Sequence, residues 1–339
     1  TRLFSIIPVL LPLIMRPLAI TTLLFMLTWS CFAQEAPQSV AAISADFVFD
    51  GRISPGEWDN IAPFDLTVQT PVHRADPTER TVIRMAYDDT YIYLSGALYD
   101  SQPDRIRANN LQRDGGDEST GWFGMVIDSY NDKQNSLGFF TTPTGSRFDA
   151  AIGNDGQRES NMNTSWHNVW DVKVSVTEEG WFAEMRIPFR SLQYQVVDGK
   201  VTMGVTTWRY LARTNEVHIS PVISPKLGDM GSWRPSQSKE YVFENIKQTK
   251  PFYVTPYALT GFNKTNDLNV AGTTYESNND FIKDIGLDVK VGLTNNFTLD
   301  LTVNTDFAQV EADDQQVNLS RFSLFFPEKR LFFQERSGI

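Results

Sequence analysis

The stretch VIRMAYDDTYIYLSGALY, residues 82–99, decides the fold. Val82–Tyr87 and Tyr91–Tyr99 are rich in branched and aromatic residues, and Asp88-Asp89 between them carries turn chemistry, so the stretch reads as a β-hairpin. Outward from it the same texture recurs in Trp122–Ile127, Leu137–Thr142, Arg147–Ile152, Val169–Val176, Trp181–Ile187, Met203–Leu211 and Val217–Ile219. Asn131-Asp132, Pro143-Thr144-Gly145, Asn154-Asp155-Gly156, Glu178-Glu179-Gly180 and Asp198-Gly199 punctuate the series. No stretch sustains a helical period. Short strands at this spacing predict an all-β fold, an antiparallel β-sandwich of jelly-roll type from Asp46 to about Ile246.

After Ile246 the pattern lengthens. Lys250–Thr260 sets Phe252, Val254 and Pro256 against Tyr253, Thr255 and Tyr257. In Gly286–Leu293 the residues Leu287, Val289, Val291 and Leu293 alternate with Asp288 and Lys290, and Leu299, Leu301 and Val303 repeat the alternation against Asp300, Thr302 and Asn304. Thr294-Asn295-Asn296 marks a short turn between them. Alternating strands of about 10 residues on short turns suit a membrane β-barrel, and equally a second soluble β-domain.

The chain begins at Thr1, and its first methionine is Met15. From there MRPLAITTLLFMLTWSCFAQ has one positive charge, an apolar run and small residues before a cut after Ala33, the pattern of a secretory signal. Residues 1–33 are therefore expected to be a signal, with the true start at Met15; a retained anchor is the other reading. Lipid attachment at Cys31 is disfavoured by bulky Trp29 two residues before it. Cys31 is the single cysteine, so the exported part is expected to have neither disulfide nor thiol chemistry. A net charge of −11 argues against nucleic acid as a partner, which needs a basic face.

Several segments together resemble a family 9 carbohydrate-binding module: DGRISPGEWDNIAPF (50–64), residues 82–106, residues 122–156, WDVKVSVTEEGWFAEMRIPFRSL (170–192) and MGVTTWRYLAR (203–213). The most specific piece is Gly180-Trp181 followed by Glu184 and Ile187-Pro188-Phe189. Residues 286–335, with FFPEKR at Phe325–Arg330, resemble the start of an uncharacterised outer-membrane barrel family that carries this module at its N-terminus. The resemblance implies a module over 34–246, the first strands of an incomplete outer-membrane β-barrel over 247–339, and location at the bacterial outer membrane, with the sandwich periplasmic or surface-exposed. A barrel needs about eight strands or more to close, so the sequence is expected to be part of a longer protein.

Sugar rings offer flat C–H faces on which aromatic side chains stack. Of the seven tryptophans in the sandwich region, Trp58, Trp122, Trp181 and Trp208 sit in strand-like or turn contexts that predict core positions. Trp166, in NTSWHNVW, and Trp233, in GDMGSWRPSQSKEY, sit in polar contexts that predict exposed loops. Trp233-Arg234 matches a ligand-stacking position of the family. The family's second stacking tryptophan would fall near Asp117–Ser119, where this chain has no aromatic. Candidate polar partners for sugar hydroxyls are Asp117, Glu118, Arg113, Asn163, His167 and Arg209.

Calcium is the natural metal for an oxygen-rich exported sandwich, with Asp128, Asn131, Asp132, Asn154 and Asp155 as candidate ligands; Asx-rich turns look the same without metal. The three histidines are in no zinc spacing. No catalytic motif is present, and glycosidase carboxylate pairs cannot be picked out of 41 acidic residues. Three readings follow: a saccharide-binding module on a barrel linked to polysaccharide capture or breakdown, a transport or assembly barrel whose sandwich is a plug or docking domain, and an O-glycosyl hydrolase.

Overall fold

The computed structural model describes residues 36–108, 111–114, 119–164, 166–247, 252–293 and 297–304. The expected signal, residues 1–33, and the FFPEKR run lie outside these residues, as do Thr294-Asn295-Asn296.

Two sheets form the sandwich. The larger runs β1 (Gln38–Ser39), β14 (Lys239–Glu244), β12 (Lys200–Leu211), β6 (Trp122–Asp128), β7 (Ser136–Thr141), β8 (Arg147–Ile152) and β9 (Met162–Asn163). The C-terminal half of β12 also pairs with β13 (Glu216–Ser220), which carries β3 (Thr67–Thr70). The smaller sheet runs β10 (Asp171–Thr177), β11 (Gly180–Pro188), β5 (Tyr91–Tyr99), β4 (Thr81–Tyr87) and β2 (Ala41–Ala42). Pairing is antiparallel except for the two-residue strands β1 and β2, which lie parallel to β14 and β4.

Side chains alternate across each strand, and one set meets the opposite sheet. Phe123, Met125 and Ile127 on β6 and Met203 and Val205 on β12 meet Ile92 and Leu94 on β5 and Met185 and Ile187 on β11 in one buried core. Each such side chain contributes about 1.5–3 kcal/mol by leaving water. Gly96 makes room for the Phe123 ring: a Cβ there would lie 2.7 Å from Phe123 Cζ.

A second, smaller core covers the outer face of the smaller sheet. Trp58, Ile61, Ala86 and Tyr93 are buried there, with Phe47 edge-on to Trp58 at 5.5 Å. Its anchor is Glu184, fully buried in mid-strand. The carboxylate accepts the Gly51 amide at 2.9 Å, the Asp50 amide at 3.1 Å and the Trp58 indole N–H at 3.0 Å. Gly51 is required at φ 83°, because a Cβ would meet the Lys173 carbonyl carbon at 2.7 Å. The DGRISPGEW segment and Glu184 are thus one device that ties the N-terminal segment to the sheet.

Three further strands form an open antiparallel sheet: β15 (Phe252–Leu268), β16 (Tyr275–Gly292) and β17 (Thr298–Val303). One face carries Phe252, Val254 and Pro256 opposite Val291, Val289 and Leu287, with Leu299, Leu301 and Val303 continuing on β17. The other carries polar pairs: Thr302 Oγ1 donates to Asp288 at 2.5 Å, Asn304 Nδ2 to Asp284 at 3.1 Å, and Lys290 lies 3.9 Å from Asp300. Tyr257 lies over Gly286, where a Cβ would be 2.1 Å from the ring, an aromatic covering a strand glycine. The strands are longer than the alternation predicts because their far halves are polar on both faces and show no period.

Candidate functional site

The register of the larger sheet brings Trp208, Gly124, Phe140 and Phe148 into one row across β12, β6, β7 and β8. They alternate with core-facing Phe123 and Phe139 and so lie on the outer face. Trp122 stands beside them, edge-on to Phe148 at 5.7 Å. Trp233 comes from the short 3-10 segment Asp229–Trp233 and lays its ring against Phe140 at 4.9 Å and Trp208 at 5.7 Å. The five rings line an open pocket of about 200 Å³, with no charged side chain lining it among the described residues.

Two glycines shape this pocket. Phe140 and Trp208 approach to 4.3 Å across Gly124, where a Cβ would fall 2.6 Å from Phe140 Cδ1. Trp233 rests over Gly138, where a Cβ would fall 2.8 Å from its Cζ3. Trp208 Nε1–H has no partner among the described residues, leaving a donor on a lining residue.

Asp155 holds the Trp233 segment. Its carboxylate accepts both the Ser236 amide and the Ser236 hydroxyl at 2.9 Å, and its own amide donates to Gln134 O at 2.8 Å. Ser136 Oγ donates to Trp233 O at 3.5 Å. Arg234 follows on the same segment, half-buried, its Nε unpaired among the described residues.

Arg113 and His167 come together elsewhere, with Asp114 and Asp149. Asp149 is fully buried on the core side of β8; it pairs with Arg113 and accepts the Asn168 amide at 2.5 Å. Burial pushes its carboxyl up, and the Arg113 guanidinium opposes this. His167 Nδ1 lies 3.6 Å from Asp114. Among the described residues, Asp114, Asp149 and His167 are the group of three ligand-type side chains within 4.8 Å, but Arg113 already supplies the positive charge a cation would bring.

The other expected ligands take other roles. Trp166 is only 7% exposed and packs edge-on to Phe139 at 6.1 Å, so it is a core residue and not a loop platform. Arg209 is also buried: it donates to Thr81 Oγ1 at 2.8 Å and Tyr99 O at 2.9 Å, facing away from the pocket. It joins a network with Arg213, Glu79, Asp100, Glu216 and His218 that no sequence pattern announces. Asn163 pairs with Ala151 on the sheet edge. Asp117 and Glu118 lie outside the described residues. Trp122 and Trp208, expected in the core, line the pocket instead.

The expected calcium loops are capped turns. Asp128 accepts the amides of Asp132 and Lys133 at 3.1 and 2.9 Å, and burial pushes its carboxyl up. Asp132 accepts the amides of Gln134 and Asn135, each at 2.7 Å. Asn131 and Asn154 take positive φ in these turns, and Asp155 is committed to Ser236. Their geometry is the Asx-turn alternative to metal binding.

Residues 252–338 match the family described as domain of unknown function DUF5916. Solved structures similar to the chain include a family 9 carbohydrate-binding module from Caldicellulosiruptor kristjanssonii in complex with cellotriose, at 16% identity and TM-score 0.39, covering 60% of this chain and 92% of that one. The same organism's module in complex with glucose is similar at 15% identity and TM-score 0.39, covering 62% and 97%. A protein of Bacteroides uniformis ATCC 8492, provisionally described as carbohydrate-binding, is similar at 15% identity and TM-score 0.44, covering 61% and 99%. No curated protein matches the chain.

Proposed function

We propose that the sandwich binds an uncharged saccharide in the five-ring pocket, as the N-terminal module of an outer-membrane barrel at the bacterial cell envelope. The pocket itself carries the reading. Rings converging on an open apolar cleft accept the C–H faces of a pyranose. An uncharged ligand is favoured because the described lining is wholly aromatic in a protein of net charge −11. Hydrolysis needs two carboxylates flanking the bond, and the described residues that line the pocket are all aromatic, which favours binding over glycosidase action.

The membrane half of the proposal rests on the third sheet. Its apolar face is exposed, with Phe252 68%, Ile285 79% and Leu301 52% accessible, while the opposite face pairs Asp288 with Thr302 and Asp284 with Asn304. Such alternation supports a lipid-out, polar-in reading of these strands. The reading is tested by titrating the protein against a panel of neutral oligosaccharides. Trp233→Ala is expected to weaken whichever sugar binds by about 1–3 kcal/mol without unfolding the sandwich. Failure of every sugar to bind would leave the docking-domain reading, in which the sandwich holds to its barrel, as Tyr253 Oη does to Arg190 O at 2.8 Å.

A further inference from the structure

The third sheet has two unlike ends, and from this asymmetry we propose that the sandwich hangs on the periplasmic side of the outer membrane, with the β15–β16 tip outside the cell. The inference rests on the membrane reading above and adds direction to it.

The apolar face has edges. One is the row Phe252–Val291–Leu299, the other the pair Phe262–Phe281. Ten residue steps of about 3.4 Å, tilted by about 45°, give a height of about 24 Å, close to the apolar band of a membrane barrel, about 25 Å. Aromatic rings stand at both edges, as in interfacial girdles. Lys283, within the band, reaches the far edge: its Nζ lies 5.0 Å from the Phe281 ring centroid, the posture of a lysine carrying its charge to the interface.

Beyond Phe262 and Phe281 the hairpin continues through polar rows: Asn263 opposite Asp280, Lys264 opposite Asn279, Asn266 opposite Ser277. It closes only at a tip where the Asn269 amide bonds Thr274 O at 2.9 Å. The other end has no overhang. β16 ends at Gly292, the Leu293 amide bonds Phe297 O at 2.9 Å, and β17 begins at the next residue, Thr298. Membrane barrels have short periplasmic turns and longer extracellular loops. The flush end is therefore periplasmic. The sandwich joins that end: Lys247 is five residues before Phe252 in sequence, and the next residue, Tyr253, donates its Oη to Arg190 O at 2.8 Å. The saccharide that reaches the five-ring pocket is then one already inside the outer membrane.

Single cysteines test this in the protein expressed from its own gene, with Cys31→Ser as background. Ser277→Cys marks the hairpin extension and Glu178→Cys an exposed sandwich turn. Cells are treated with a polyethylene-glycol maleimide too large for porins, intact or after the outer membrane is opened. Labelling of Ser277→Cys in intact cells, with Glu178→Cys fully protected until opening, is the expected result. Labelling of Glu178→Cys in intact cells, with the protein in the outer-membrane fraction, would overturn the orientation and keep the membrane reading. Recovery of the protein in the soluble fraction would overturn the membrane reading itself. Asn279→Cys with Lys226→Cys repeats the comparison should either first variant fail to accumulate.

Discussion

Replacing Gly138 by alanine adds one methyl group under the pocket and isolates what the pocket geometry is worth. Gly138 has ordinary strand φ, so alanine fits the backbone and should gain about 0.5–1 kcal/mol of conformational preference. The new Cβ falls 2.8 Å from Trp233 Cζ3 and 3.5 Å from Phe140 Cε2. Carbon contacts relax at about 3.5–4.0 Å, so the indole must lift by about an ångström. That movement degrades the ring pairs Trp233 makes with Phe140 at 4.9 Å and Trp208 at 5.7 Å, each worth about 0.5–1.5 kcal/mol. The strand preference offsets part of this, so unfolding stability should change by less than about 1 kcal/mol. Saccharide affinity should fall about tenfold or more, equivalent to about 1.4 kcal/mol. Titration calorimetry measures the affinity and urea unfolding the stability. Near-ultraviolet circular dichroism reports whether the Trp208–Trp233 coupling has changed. A lost coupling signal with unchanged affinity would refute the role given to Trp233.

Burial pushes the Glu184 carboxyl up to about 7. Its favourable contribution is complete below its unfolded value of about 4.5 and is lost as pH rises through about 7. Wild type should therefore lose up to about 3 kcal/mol relative to Glu184→Gln between pH 5 and 8; parallel urea-unfolding curves at the two pH values would contradict this. Gly51→Ala should destabilise by about 1–3 kcal/mol through left-handed backbone and contact with Lys173, read as a lowered melting temperature. Asp155→Ala should release the Ser236 tether and weaken saccharide binding more than it weakens the fold, and added calcium should not restore it. Rescue by calcium would reinstate the metal-loop reading.

The strands were legible because alternation and turn chemistry agree over most of the sandwich, from the 82–99 hairpin to Met203–Leu211. β14 carries a clean signal, with Tyr241 and Phe243 buried, yet six residues after a run of polar turns do not stand out. The faces were harder. A period of two says which residues share a face and leaves open which face is inside. On β12 the usual polarity is inverted near its end: Thr207 and Arg209 point into the molecule and Trp208 points out. Hydrophobicity therefore assigns Trp208 to the core and Arg209 to a ligand. Trp166 misled in the opposite way, since its polar neighbours hide the ring that packs on Phe139. The meeting of Trp233 with Trp208 depends on Asp155 catching a segment some eighty residues away in sequence, which no local pattern encodes.

Four of the five rings belong to neighbouring strands of one hydrogen-bonded sheet, and only Trp233 arrives on a loop. Selectivity and foldability are therefore separable in this molecule. The segment around Trp233 can be redrawn, lengthened or given polar groups without disturbing the strands that hold the other rings. If the proposed binding holds, a lineage carrying this sandwich could exchange one ligand for another by editing a single connection.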